Sequence, residues 1–95
     1  MLSDMKILLA QVNPTVGDLD YNCTLICDII KIYQDDVDII IFPELVLTGY
    51  PPRDLLLESK FIHSTELKLH EIATTVTNCV VILGTVRKDE NGLYN

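Results

Sequence analysis

Tryptophan is missing from these 95 residues, and aromatic side chains make up only 6% of them. A core must therefore be built from Ile, Leu and Val, and such branched aliphatic stock suits parallel strands covered on both faces. Basic side chains are scarce, 7 against 14 acidic ones, for a formal charge of -7. Counterion release on a phosphate backbone needs Lys and Arg, so no nucleic acid is expected as a partner. The same balance argues against binding to an anionic membrane. No stretch approaches the ~20 apolar residues of a membrane span, and Met1-Leu2-Ser3-Asp4 carries an acid where a signal peptide needs a basic start. Three cysteines, an odd number, set up no disulfide framework, so a reducing cytoplasm is the expected location. Glycine is sparse and Gly84 stands alone, so no glycine-rich loop offers a phosphate cradle or any other cofactor site.

What is present reads as globular: 48% of residues are hydrophobic and 22% charged, in a length that allows at most one small domain. Lys6 to Val12 reads as a first strand, and Asn13 to Asp18 as a turn cluster. A helix is predicted from Asp18 or Asp20, either of which can cap it, with an apolar stripe of Leu25, Ile26, Ile29, Ile30 and Tyr33. Gln34-Asp35-Asp36 ends it in polar residues, and Val37 to Phe42 forms a second strand. The short link makes this a strand-helix-strand unit with parallel strands and a right-handed crossover. Asp54 to Glu58 suggests a short helical turn. A longer helix is predicted over Lys60 to Val76, burying Ile62, Leu69, Ile72, Ala73 and Val76. Val80 to Val86 reads as a third strand, Arg87 to Gly92 as a hairpin loop turning at Asn91-Gly92, and Leu93 to Asn95 as the opening of a fourth strand. Such a fold is α/β, and the three-residue last strand suggests a larger domain of which 1-95 is an incomplete N-terminal segment.

Glu44 is the residue singled out for chemistry. It follows the apolar run Val37 to Phe42, so it is delivered to the carboxyl end of a strand, where open parallel sheets keep their active sites. Phe42, Leu45, Val46 and Leu47 flank it, and solvating the carboxylate would draw them into water. Burial is therefore expected, and burial fits a carboxylate to accept and return a proton near neutral pH. The other titratable groups read as structural. Cys23 and Cys27 share a helix face, but two thiols do not make a zinc site, and they suit helix packing. Cys79 begins a strand and is expected buried. His63 and His70 are separated by about 10 Å along a helix and read as surface residues. Lys60 and Lys68 fall on the polar side of that helix, and no metal is expected. Tyr50 and Arg53 follow either from a rigid Gly-Tyr-Pro-Pro turn or from a loop at the mouth of a site.

Phe42-Pro43-Glu44 resembles the first catalytic element of the nitrilase superfamily. Gln11 to Asp18 and Thr48-Gly49-Tyr50-Pro51-Pro52-Arg53-Asp54 are similar to the glutamine-hydrolysing domains of glutamine-dependent NAD synthetases within it, as are Leu83 to Val86 and Leu93 to Asn95. The resemblance runs from about Met5 to Asn95. It implies a nitrilase-like α-β-β-α sandwich of which this is the N-terminal portion. It also implies that Glu44 is the general base for a cysteine nucleophile, with a lysine holding the oxyanion; both partners would lie beyond Asn95. Glutamine would be the substrate, and its ammonia would amidate an adenylated deamido-NAD made with ATP in a separate synthetase domain. The 95 residues alone are expected to be inactive, and the full-length protein to be a homo-oligomer. A free-standing nitrilase-type amidase and an inert truncated interaction module remain as alternatives.

Overall fold

The computed structural model describes residues 4–49, 59–85, 87–89 and 92–94, the last six by their backbone alone. Elements follow in the order β1 (Ile7–Leu9), α1 (Leu19–Tyr33), β2 (Ile39–Ile41), α2 (Ser59–Thr75), β3 (Val80–Ile82), β4 (Arg87–Asp89) and β5 (Gly92–Tyr94). The first three strands form a parallel sheet in the order β1-β2-β3, with Leu8, Ile40 and Val81 in one row. That row lies on the helix side: Ile40 is fully buried, while Leu8 and Val81 pack against the main core. Side chains alternate across a strand, so the flanking rows lie on the opposite face. There Ile7, Leu9, Val80 and Ile82 are between 50% and 64% exposed. One face of an apolar parallel sheet is therefore covered by helices and the other is open. Two successive right-handed crossovers in a 1-2-3 order place both helices on the same side, which accounts for this.

Regular pairing covers three residues per strand, fewer than the apolar runs contain. Single bonds extend the ladder, from the Ala10 N–H to the Ile41 carbonyl and from the Phe42 N–H to the Ile82 carbonyl, both 2.9 Å. Pro43, which has no N–H, stops it there. Asp18 caps α1, its carboxylate accepting from the Tyr21 N–H at 3.1 Å, as the composition of the turn anticipates. At the other end Gln34 binds α2's last turn. Its Nε2 donates to the Thr75 carbonyl at 3.0 Å, and its Oε1 accepts from the Thr77 and Asn78 amides at 2.9 and 3.2 Å.

Several expectations are corrected. The buried face of α1 consists of Leu19, Asn22, Cys23, Ile26 and Ile30, while Tyr33 is 41% exposed. Ile26 and Ile30 are thus buried as expected; the helix is apolar round much of its girth, and the sheet together with α2, which meets it through Cys23, selects the face. On α2 Ile62 and Ile72 are buried with Thr65, whose hydroxyl donates to the Phe61 carbonyl, but Ala73 is exposed. Cys79 precedes β3 and is half-buried. Residues 87–89 are a strand rather than a loop; they pair antiparallel with β5 in a separate two-stranded sheet, Asp89 opposite Gly92. The short helical turn expected at Asp54 to Glu58 lies outside the described residues, as do Tyr50 and Arg53.

Candidate active site

Glu44 stands just past β2, the central strand, at the carboxyl end of the sheet. The structure does not bury it: Glu44 and Pro43 are exposed, whereas Leu45, Val46, Leu47 and Thr48 are at most 6% exposed. The expectation failed because it assumed that the carboxylate and its apolar neighbours share one fate. Leu45 separates them by adopting the left-handed conformation, φ 54°, which reverses the chain so that 45–48 turn inward and Glu44 stays outside. A leucine in that region is strained by about 1–2 kcal/mol, and strain of this kind gathers at functional sites.

The turn beyond Glu44 is tightly built. The Gly49 N–H donates to the Leu45 carbonyl at 2.9 Å, and the Thr48 hydroxyl lies 3.3 Å from the same carbonyl. Gly84, just past β3, faces it from the neighbouring strand. A Cβ built on Gly84 would stand 3.5 Å from both Cα and Cγ of Glu44 and 3.4 Å from the Leu45 nitrogen. Leucine or valine there would press on the carboxylate's stem. Sequence reading placed Gly84 in the third strand and set it aside as a phosphate cradle; its place beside Glu44 follows from the β2–β3 register, which no local pattern reveals. A depression of about 190 Å³ opens at the same end of the sheet, lined by Leu9, Ala10, Gln11, Ile41, Phe42 and Pro43.

The cysteines lie elsewhere. Cys23 and Cys27 face α2, with their sulfurs 4.0 Å apart. Burial first, then the Cys27 thiol and the Glu71 carboxylate, push the Cys23 thiol up to about 12. A thiol so held is a poor nucleophile, in keeping with a packing role. Cys79, at the opposite end of β3 from Gly84, is also raised, by burial and then by Asp35. Lys68 bridges the helices, 2.8 Å from Asp20 and 3.4 Å from Glu71, and its hydrogen bond to Asp20 raises its pKa. His63 and His70 are exposed. Among the described residues no group of three or more His, Cys, Asp and Glu could hold a metal ion, and no helix is long and apolar enough to cross a membrane.

Sequence reasoning missed Asn22. It lies fully buried on α1, and its carboxamide bonds to both backbone groups of Thr15 and to the Leu47 carbonyl. A polar residue inside an apolar helix face was the available signal.

Residues 6–95 match the carbon-nitrogen hydrolase family. The chain is 35% identical over 94 residues, 96% of its length, to the glutamine-dependent NAD(+) synthetase of Thermotoga maritima. It is 42% identical over 79 residues, 83% of its length, to that of Aquifex aeolicus. It spans 16% and 14% of these two relatives. The crystal structure of a glutamine-dependent NAD(+) synthetase from Cytophaga hutchinsonii superposes with a TM-score of 0.90 at 33% identity, over 98% of this chain and 16% of that one. The expected nitrilase-type α/β fold is thereby established.

Proposed function

Since the chain belongs to the carbon-nitrogen hydrolase family, we propose that it is the N-terminal segment of a glutaminase domain in a glutamine-dependent NAD synthetase, with Glu44 as the general base. The observation that carries this is Glu44's place on a strained turn at the carboxyl end of the central parallel strand, faced by a glycine that leaves its stem room. On this reading the missing part of the domain brings a cysteine and a lysine to Glu44 and encloses it.

The chemistry then runs as follows. Glu44 takes the proton from the cysteine thiol, and the sulfur attacks the side-chain carboxamide carbon of glutamine. The lysine ammonium stabilises the tetrahedral oxyanion. Collapse breaks the C–N bond, and ammonia leaves with the proton returned by Glu44. Water, activated by the same carboxylate, cleaves the thioester to glutamate and free thiol. The ammonia amidates deamido-NAD activated as its adenylate with ATP, in a separate synthetase domain. The reading implies a cytoplasmic, homo-oligomeric enzyme, and it treats the 95 residues alone as inactive.

Glu44→Gln keeps the size and removes the base. In the full-length protein it is expected to lower glutaminase turnover by at least ~100-fold, the lower end of the range for loss of a general base, while synthesis from added ammonia continues. Full glutaminase turnover in a folded variant would falsify the assignment. A full-length protein that hydrolyses amides but lacks the ATP-dependent step would be a free-standing amidase instead.

A further inference from the structure

We infer that Asn22 is the positioning residue for Glu44, acting through the turn that carries it; this rests on the reading of Glu44 as the base. Asn22 has no exposed surface, yet three of its four hydrogen-bonding positions are used. Oδ1 accepts from the Thr15 N–H at 2.7 Å, and Nδ2 donates to the carbonyls of Thr15 at 2.8 Å and of Leu47 at 2.9 Å. The carboxamide thus pairs with Thr15 as a neighbouring strand would, and spends its other N–H on the Glu44 turn.

Two further contacts fasten the same pair of turns. The Gly17 N–H donates to the Thr48 carbonyl at 2.9 Å, and Gly49 lies so close to Val16 that a Cβ on it would come within 2.6 Å of the Val16 Cα. Residues 45–49 are internally tied by the bond from Gly49 to Leu45, so holding the Leu47 carbonyl holds the turn as a unit. Glu44 is therefore set from two sides. Its N-terminal neighbours belong to the sheet ladder through Phe42, and its C-terminal neighbours hang from a side chain on α1. A buried amide can do this where a hydroxyl or carboxylate cannot, because the site needs two donors aimed at two carbonyls and one acceptor aimed at an N–H.

The test compares Asn22→Asp, Asn22→Ala and Glu44→Gln with the wild type, all in the full-length protein. Asn22→Asp is nearly isosteric but turns an oxygen on both carbonyls; Asn22→Ala removes the same bonds without burying a charge, should the first fail to fold. Amide hydrogen exchange at Gly17 reports docking of the turns, and steady-state glutaminase kinetics report the base. The expected result is loss of Gly17 protection with kcat per folded molecule down ~10–100-fold and KM for glutamine within about twofold, because a misplaced base slows chemistry without weakening binding. A purely structural asparagine would lower the folded fraction and leave that kcat unchanged. Undiminished kcat in an Asn22 variant that has lost Gly17 protection overturns the inference, and so does protection that survives both substitutions. The wild type supplies an arm that needs no variant: a Thr15 amide exchanging at the rate of an open chain overturns it too. An active Glu44→Gln variant instead strikes the reading of Glu44, and a silent Glu44→Gln beside a fully active Asn22 variant strikes this inference alone.

Discussion

Gly49 has no side chain because the backbone of Val16 leaves no space for one. A Cβ there would meet the Val16 Cα at 2.6 Å, the Val16 nitrogen at 2.8 Å and the Thr15 carbonyl carbon at 3.1 Å, all backbone atoms that cannot swing aside. Its φ of 82° adds a second requirement, since L-residues with a Cβ disfavour that region. The two demands separate experimentally. Asparagine tolerates left-handed φ better than alanine, but it carries the same Cβ. Gly49→Ala and Gly49→Asn should therefore both destabilise the domain by about 2–4 kcal/mol, on the scale of overpacking plus backbone strain. Exchange of the buried α1 amides at Ile26 and Ile30 in the full-length protein measures this. If asparagine restored the wild-type rates, φ alone would explain the glycine and the turns would not be in contact. The sequence reading of Gly49 as a place for a tight bend captured the φ and not the contact, because Val16 lies more than 30 residues away along the chain.

Among the elements, α1 divides what a sequence discloses from what it withholds. Its start was legible: Asp18 accepts from the Tyr21 N–H, a local bond written in local residues. Its buried face was legible only in part: Ile26 and Ile30 go inside as the stripe predicts and Ile29 packs against the core, but Ile32 and Tyr33, equally apolar, stay outside, because the sheet and α2 together choose among them. That choice places Cys23 at the helix–helix interface, 3.9 Å from the Lys68 carbonyl and 3.8 Å from Glu71, with its thiol raised to about 12. At pH 8 such a thiol exists as thiolate to the extent of about one part in ten thousand. Alkylation by iodoacetamide at that pH should leave Cys23 unmodified as long as the helices stay packed, with labelling appearing only on unfolding in urea. Mass mapping of the labelled peptide decides the matter. Labelling of Cys23 at the rate of a free cysteine in the folded protein would mean that α1 and α2 do not meet there.

For the whole molecule, the telling feature is the uncovered face of the parallel sheet. Composition pointed to strands buried on both sides, and the structure covers one: Ile40 is fully buried while Ile7, Leu9, Val80 and Ile82 are at least half exposed. The same incompleteness explains why the Glu44 expectation missed. The sequence announced a carboxylate among apolar residues, and Leu45, Val46 and Leu47 found their core within the chain, whereas the described residues leave Glu44 exposed. In the proposed sandwich a second sheet covers that open face, and each half-exposed aliphatic side chain gains roughly 1 kcal/mol when the rest of its surface leaves water. Leu9 makes a direct probe because it is 64% exposed and lies beside Ile41 in the register. On the 95-residue chain alone, Leu9→Glu should reduce self-association and dye binding at no cost in helix content, since the new charge is solvated. In the full-length protein the same substitution would put an unpaired carboxylate between two sheets, at a cost of about 3 kcal/mol or more and a lowered melting temperature. The prediction lies in the opposite signs. If Leu9→Glu left the full-length melting temperature unchanged, this face would be open to water in the intact protein, and the two-sheet arrangement that brings a nucleophile to Glu44 would lose its physical basis.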